Sequence, residues 1–180
     1  EFETNVFMDY CIYNSRKSGK NIAQRAFEQF SHVYDGEKFD IFSKAAKAEF
    51  AYLKIVDTAG ENSLNVQDII CGNNYTLIDK GMSKTAAENG GTFYLITHFI
   101  NFGSFIITTG ASVPVDIKTE AGTKVHTAAE KYLLKENHSD DSRYQLITDL
   151  YKKCFQEDIT MNVPSEILPF DQFNNIETKH

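Results

Sequence analysis

The fold is decided by residues 50–109, which read FAYLKIVDTAGENSLNVQDIICGNNYTLIDKGMSKTAAENGGTFYLITHFINFGSFIITT. Five runs in this stretch are rich in β-branched and aromatic residues, and residues typical of turns separate them. The runs are residues 50–57, 63–70, 75–79, 92–100 and 104–109. So few short strands do not make a sandwich, whereas closure into a barrel removes their exposed edges. The sequence therefore predicts an α+β protein with a small antiparallel five-stranded barrel, SH3-like or OB-like.

The connections between the predicted strands carry Gly, Asn and Ser, which tolerate the backbone conformations of tight turns. They are residues 59–62, 71–74, 80–83, 89–91 and 101–103. Asp57, Asp68 and Asp79 lie near the predicted strand ends. Aspartate side chains in turns accept hydrogen bonds from the backbone that follows, so we interpret the three as turn formers rather than catalytic carboxylates. The chain around Pro114 is expected to leave the sheet.

Helical periodicity flanks the predicted barrel on both sides. Ile22, Ala26, Phe30 and Val33 recur at helical spacing and form an apolar stripe of the kind that faces a core. The predicted helices are residues 6–13, 21–34, 39–49, 126–136 and one that opens at residues 139–141. The predicted division is an N-terminal helical segment (1–49), the barrel (50–115), C-terminal helices (116–158) and a flexible tail (159–180).

The charge of the chain disfavours binding to nucleic acid or an anionic membrane. Eighteen basic residues face 25 acidic ones among 180, a net charge of −7, and residues 51–115 alone carry −2. Polyphosphate binding depends on dense positive charge, which is missing. The basic residues that do cluster are Arg16, Lys17, Lys20 and Arg25, which we interpret as a solvated helix face.

Motifs for cofactors, metals and disulfides are also missing from the sequence. No P-loop, dinucleotide-binding or paired-histidine zinc motif occurs, so we expect no cofactor and no metal. The three cysteines are far apart, which favours a reducing cytoplasm. Cys71, beside Gly72 at a predicted turn, is interpreted as a small hydrophobic residue rather than a nucleophile.

Part of the chain resembles a known kind of bacterial segment. The residues concerned are 42–57, Leu64, Asp68, Ile69, Ile70 and Gly72, 75–79, Ser83 and the apolar strand after Gly91. Across residues 5–115 their order resembles the uncharacterised β-rich segment that accompanies SEC-C (YecA-type) motifs in some bacterial proteins. The zinc knuckle of the SEC-C motif is absent, so metal binding is not implied. The resemblance implies an accessory interaction module.

Three functional hypotheses follow. The leading one is a noncatalytic protein-interaction module of a larger polypeptide, suggested by the start at Glu1 without methionine and by the many aromatic residues. Its expected partner is another protein, and no membrane is expected. Its candidate partner-binding residues are Phe93, Tyr94, Phe99, Phe102, Phe105, Ile167, Leu168 and Phe170. The alternatives are an OB-like module for single-stranded nucleic acid and a hydrolase-like enzyme in which Asp68 and His98 converge.

Overall fold

The computed structural model describes residues 2–89, 93–134 and 140–159. The helices are α1 (Phe2–Asn14), α2 (Ile22–Phe30), α3 (Gly36–Ala46), α4 (Lys80–Asn89), α5 (Glu120–Leu133) and α6 (Asp140–Gln156), and a short 3-10 helix covers Ser31–Val33. The strands are β1 (Glu49–Gly60), β2 (Ser63–Asp68), β3 (Asn74–Ile78), β4 (Tyr94–Asn101), β5 (Ile106–Thr108) and β6 (Val113–Val115). The predicted tail, including Ile167, Leu168 and Phe170, lies outside the described residues apart from residue 159.

The small barrel predicted from the sequence is confirmed, with one correction. Neighbouring strands follow the order β1, β2, β3, β5, β4, and β4 pairs again with β1, which closes the barrel. Within this barrel β3 pairs with β5, bridged at Leu77 and Ile106, and these two strands are parallel. The prediction of a purely antiparallel barrel is therefore wrong at this pairing. Strand β5 pairs with β4 in the antiparallel direction, as a meander would, but it also pairs with β3 in the parallel direction.

A helix, not a turn, connects β3 to β4. The Asp79 carboxylate accepts a 3.0 Å hydrogen bond from the backbone N–H of Met82, and this cap starts α4 where the sequence predicted a turn at residues 80–83. Met82 and Ala86 of α4 are buried in the barrel interior. Five strands in this order, with a helix between the third and fourth, form the OB-type Greek-key barrel rather than the SH3-like one.

Residues 113–115 stay in the sheet, contrary to the prediction. They form β6, which pairs with the first half of β4 while β5 pairs with its second half. Pro114 lies opposite Leu95 at an edge position, where the missing N–H of proline does not interrupt a ladder. A proline in a three-residue edge strand is therefore compatible with pairing.

Two apolar clusters lie on opposite faces of the barrel wall. The interior cluster contains Leu53, Ile55, Leu64, Val66, Leu77, Leu95, Phe99 and Ile106. The outer cluster lies between the outward residues of β1, β4 and β6 and three helices. Its residues include Val6 of α1, Val125 and Ala129 of α5, Leu146 and Leu150 of α6, and Phe50, Tyr52, Tyr94 and Ile96 of the strands. Residues from both ends of the chain thus share one core.

The pair α2 and α3 is attached differently. A capping box at Asn21 starts α2: the Asn21 side chain accepts from the Gln24 N–H, and the Gln24 side chain accepts from the Asn21 N–H. Phe27 packs on α3, with ring centroids 5.4 Å from Phe39 and 5.2 Å from Phe42. No residue of α2 is buried, and Ala46 is the buried residue of α3. The two helices therefore contact each other more than they contact the barrel.

Within the described ranges, no helix combines the length and the apolar character that crossing a bilayer requires.

Candidate functional site

The aromatic residues proposed as a partner surface are divided between core and surface. Phe99 is 1% exposed and Tyr94 8%, so both are core residues that a partner cannot reach. Phe93 is half-buried against the interior cluster. Phe102 and Phe105 are half-buried in the loop between β4 and β5, where their rings stack with centroids 5.1 Å apart. Of the described candidates, these last two are the ones at a loop surface.

An exposed apolar surface lies instead on α2, α3 and the segment that joins them. Phe30, Val33, Tyr34, Phe39 and Ile41 are 42–65% exposed, and we call these five residues the hairpin surface. Half of the large apolar side chains that are exposed in the described part of the chain fall within residues 22–41. The stripe predicted from helical spacing therefore does not face a core: Phe30, at the end of α2, and Val33, in the short 3-10 helix beyond it, both face solvent.

A buried polar network joins α1 to the barrel and to α6. The Asp9 carboxylate lies 2.7 Å from Nδ1 of His98 and accepts a 2.6 Å hydrogen bond from the Thr109 hydroxyl. The amide nitrogen of Asn14 lies 3.0 Å from His98 Nε2, and the Tyr151 hydroxyl lies 3.3 Å from Nδ1. Asp9, Asn14, His98 and Tyr151 are all at most 6% exposed. A neutral imidazole with its proton on Nδ1 satisfies both of its nitrogens here.

The electrostatics of this network follow from its burial. Burial raises the pKa of the Tyr151 phenol well above its usual range, and the neighbouring Asp9 carboxylate adds to the effect. Burial raises the pKa of Tyr13 in the same way, with a smaller contribution from Asp9. Tyr13 stacks on the His98 ring with centroids 5.2 Å apart. Both phenols therefore remain neutral next to the carboxylate at ordinary pH.

A polar cleft of about 200 Å³ opens beside this network. We call it the His98 cleft; it lies between the end of α1, the start of α2, the start of β1 and α6, and its lining includes Asn14, Arg16, Glu49, His98, Arg143 and Tyr144. The Arg143 guanidinium donates a 3.1 Å hydrogen bond to the Phe50 carbonyl oxygen. The Arg16 guanidinium lies 5.8 Å from the centroid of the Tyr144 ring, within the range of a cation–π contact.

The structure does not bring Asp68 and His98 together. Asp68 pairs with Leu53, whose side chain faces the barrel interior, whereas His98 pairs with Phe50, whose side chain faces the helices. Directly paired residues share a face of a sheet, so the two side chains point to opposite sides of the wall. The carboxylate beside His98 comes from Asp9, which the sequence analysis did not consider.

Asp68 acts locally, at the turn after β2. Its Oδ1 accepts a 2.9 Å hydrogen bond from the Ile70 N–H, so the predicted role in turn formation is confirmed for Asp68, whereas Asp79 caps the start of α4 instead of forming a turn. Asp57 lies within β1 instead. The Cys71 thiol donates to Asp68 Oδ2 at 2.9 Å. Cys71 is exposed, and partial desolvation and the Asp68 carboxylate raise the pKa of its thiol, which disfavours a nucleophile.

Comparison with known proteins identifies a family for this architecture. A family model covers residues 1–163, which is most of the chain. The chain belongs to the DUF7986 family. That family is described as one of unknown function. No curated protein and no solved structure matches the chain significantly.

Proposed function

We propose that this DUF7986 chain is a noncatalytic interaction module that binds another protein through the hairpin surface. The observation that supports the proposal is the solvent exposure of Phe30, Val33, Tyr34, Phe39 and Ile41 on α2, α3 and the segment that joins them. Monomeric proteins rarely leave large apolar areas open to water, and such areas mark association sites. Aromatic rings among them match the composition of interface cores.

The hairpin surface rests on a preorganised support. The capping box at Asn21 fixes the start of α2, and Asn21 also donates to the Tyr13 carbonyl oxygen at 3.0 Å. The ring of Phe42 contacts Phe27 and Tyr34, with centroids 5.2 Å and 5.4 Å apart. A surface that is already ordered loses little entropy on binding, so more of its apolar contact area contributes to affinity.

The chemistry of the buried network also favours binding over catalysis. A hydrolytic triad places a hydroxyl or thiol nucleophile at the histidine nitrogen that faces the substrate. Here the contact of His98 Nε2 is the amide of Asn14. In the described part of the chain, every buried side-chain nitrogen and oxygen has a hydrogen-bond partner. These contacts support a structural role for the network rather than a catalytic one.

A second candidate function, binding of single-stranded nucleic acid, has one favourable observation. In OB barrels the loop between the last two strands contributes to ligand binding. That loop carries the stacked rings of Phe102 and Phe105, and the Lys44 ammonium lies 5.6 Å from the Phe102 ring. The adjoining outward residues of β2 and β3, however, are Asn65 and Thr76, which offer neither a ring nor a positive charge. The electrostatic contribution to nucleic-acid binding is therefore small.

The test compares a hairpin variant with a matched surface variant. Val33→Asp combined with Ile41→Asp places two charges on the hairpin surface, and Val56→Asp changes a β1 side chain that is 54% exposed. A protein captured by the wild-type chain from its source cells is purified, and its Kd for all three chains is measured by calorimetry. Since burying each of the two side chains contributes about 1.5–3 kcal/mol, the double variant should weaken binding by more than about 100-fold, and Val56→Asp should leave it unchanged.

Three results would count against the proposal. Equal affinity of the wild type and the double variant would show that the partner does not use the hairpin surface. Loss of binding in Val56→Asp as well would indicate a general effect on the fold. Salt-dependent binding of a single-stranded oligonucleotide, abolished by Phe105→Ala, would favour the second candidate. Self-association that only the hairpin variant disrupts would identify the partner as a second copy.

A further inference from the structure

The His98 cleft combines two arginines that are distant in sequence. Arg16 follows α1 and Arg143 lies in the first turns of α6, yet both line this one cleft. The chain contains only three arginines and carries a net charge of −7. Two guanidinium groups at one cleft are therefore a local excess of positive charge that the overall composition does not suggest.

The two guanidinium groups retain donors for a ligand. Among the residues whose side chains the structure describes, neither guanidinium group forms an ion pair with a carboxylate, and the hydrogen bond that Arg143 makes goes to the Phe50 carbonyl. An arginine has five N–H donors and no acceptor, so the contacts made within the chain leave most of them available. Glu49 is the carboxylate that lines the cleft, which leaves one net positive charge on the lining.

The position of each arginine is constrained. The Phe50 carbonyl orients Arg143, and the Tyr144 ring supports Arg16 at 5.8 Å. Arg16 also precedes a tight turn in which Lys17 and Lys20 exchange two backbone hydrogen bonds, with φ of 54° at Ser18 and 78° at Gly19. Positive φ at both central residues is the pattern of a type I′ turn, which joins the end of α1 to the capped start of α2. Of the basic cluster predicted as a helix face, Lys17 and Lys20 thus lie in a constrained turn beside the cleft, whereas Arg25 is on α2.

We infer that the His98 cleft binds a small phosphate monoester, with Arg16 and Arg143 as the residues that contact the phosphate. Guanidinium groups bind phosphate and carboxylate oxygens in pairs. A phosphate dianion presents three oxygens and matches two guanidinium groups from different elements, whereas a carboxylate presents two oxygens and one charge. Phe50, Tyr13 and Ile147 also line the cleft, so a compact aromatic or aliphatic ester group has apolar walls to contact.

The inference is independent of the hairpin surface and is tested with three probes on the full chain. Phenyl phosphate, inorganic phosphate and benzoate are titrated separately while amide NMR signals are followed. Phenyl phosphate should bind best, inorganic phosphate more weakly, and benzoate most weakly, with saturable shifts at residues 13–21 and 143–147. Each of Arg16→Gln and Arg143→Gln should weaken phenyl phosphate binding by about 10-fold or more, because each removes a charge-assisted contact.

A matched control and a second variant keep the result interpretable. Lys38→Gln removes an exposed positive charge on α3 that does not line the cleft. The affinity of this variant for phenyl phosphate should equal that of the wild type. Arg16→Gln leaves the Arg143–Phe50 hydrogen bond intact, so it gives an answer even if Arg143→Gln impairs folding. Three outcomes would overturn the inference: no saturable shift below about 10 mM phenyl phosphate, equal weakening by Lys38→Gln, or tighter binding of benzoate.

Discussion

Replacing Asp9 by alanine should remove a large part of the folding stability, because this carboxylate connects three elements. Oδ2 contacts His98 on β4 at 2.7 Å, and Oδ1 accepts from Thr109, just beyond β5, at 2.6 Å. Hydrogen bonds to a buried charged group contribute about 1.5–3 kcal/mol each. The two contacts together predict that Asp9→Ala lowers the free energy of unfolding by about 3–6 kcal/mol, a large fraction of the roughly 5–15 kcal/mol typical of a domain.

The assay is urea unfolding at neutral pH, followed by far-UV circular dichroism and tyrosine fluorescence, since the chain has nine tyrosines and no tryptophan. Thr109→Val removes one of the two contacts and should cost about half as much. The control is Asp57→Ala, an exposed carboxylate on the same barrel, which should change stability by less than about 0.5 kcal/mol. If Asp9→Ala loses less than about 1 kcal/mol, the network does not hold α1 in place.

Two further predictions concern backbone packing and pH. A Cβ at Gly122 would lie 1.9 Å from a backbone carbonyl oxygen, so Gly122→Ala should destabilise the protein in urea unfolding. At Gly81 a Cβ has space, so Gly81→Ala should leave the free energy of unfolding unchanged or raise it by up to about 1 kcal/mol. Burial raises the pKa of Cys154 from 9.0 to about 12, so the unfolded chain loses this proton first and stability should fall by about 1.4 kcal/mol per pH unit between these values. Cys154→Ala should show a shallower decline in pH-dependent unfolding; identical slopes would refute the assignment.

The barrel strands were predictable from the sequence because their signal is local. Runs of β-branched residues between turn residues mark each strand, and β1 to β5 all appeared within a few residues of their observed bounds. Which strands pair is a different question, because the parallel contact of Leu77 with Ile106 depends on closure of the whole sheet. Strand β6 was missed because Pro114 indicates a break in a central strand but is tolerated at an edge.

The polar sites were not predictable, because they too depend on contacts between residues that are distant in sequence. Asp9 and His98 are 89 residues apart, so no local sequence motif indicates their contact. Arg16 was recognised as part of a basic cluster, but its companion Arg143 comes from the last described helix. Helical spacing indicated α2, but the expectation that its apolar stripe faces a core was wrong, because no residue of α2 is buried. Periodicity reports which residues share a face, and tertiary packing decides what that face contacts.

The buried contact between Asp9 and His98 also limits how α1 can dock. Apolar side chains tolerate many neighbours, so a helix held by them alone could settle in several alignments along the sheet. A slip of one helical turn, about 5.4 Å, would carry the Asp9 carboxylate out of reach of the imidazole and leave a charge without a partner in the interior. One side chain therefore gives α1 a single alignment, and the position of α1 in turn determines where the exposed helices that follow it project.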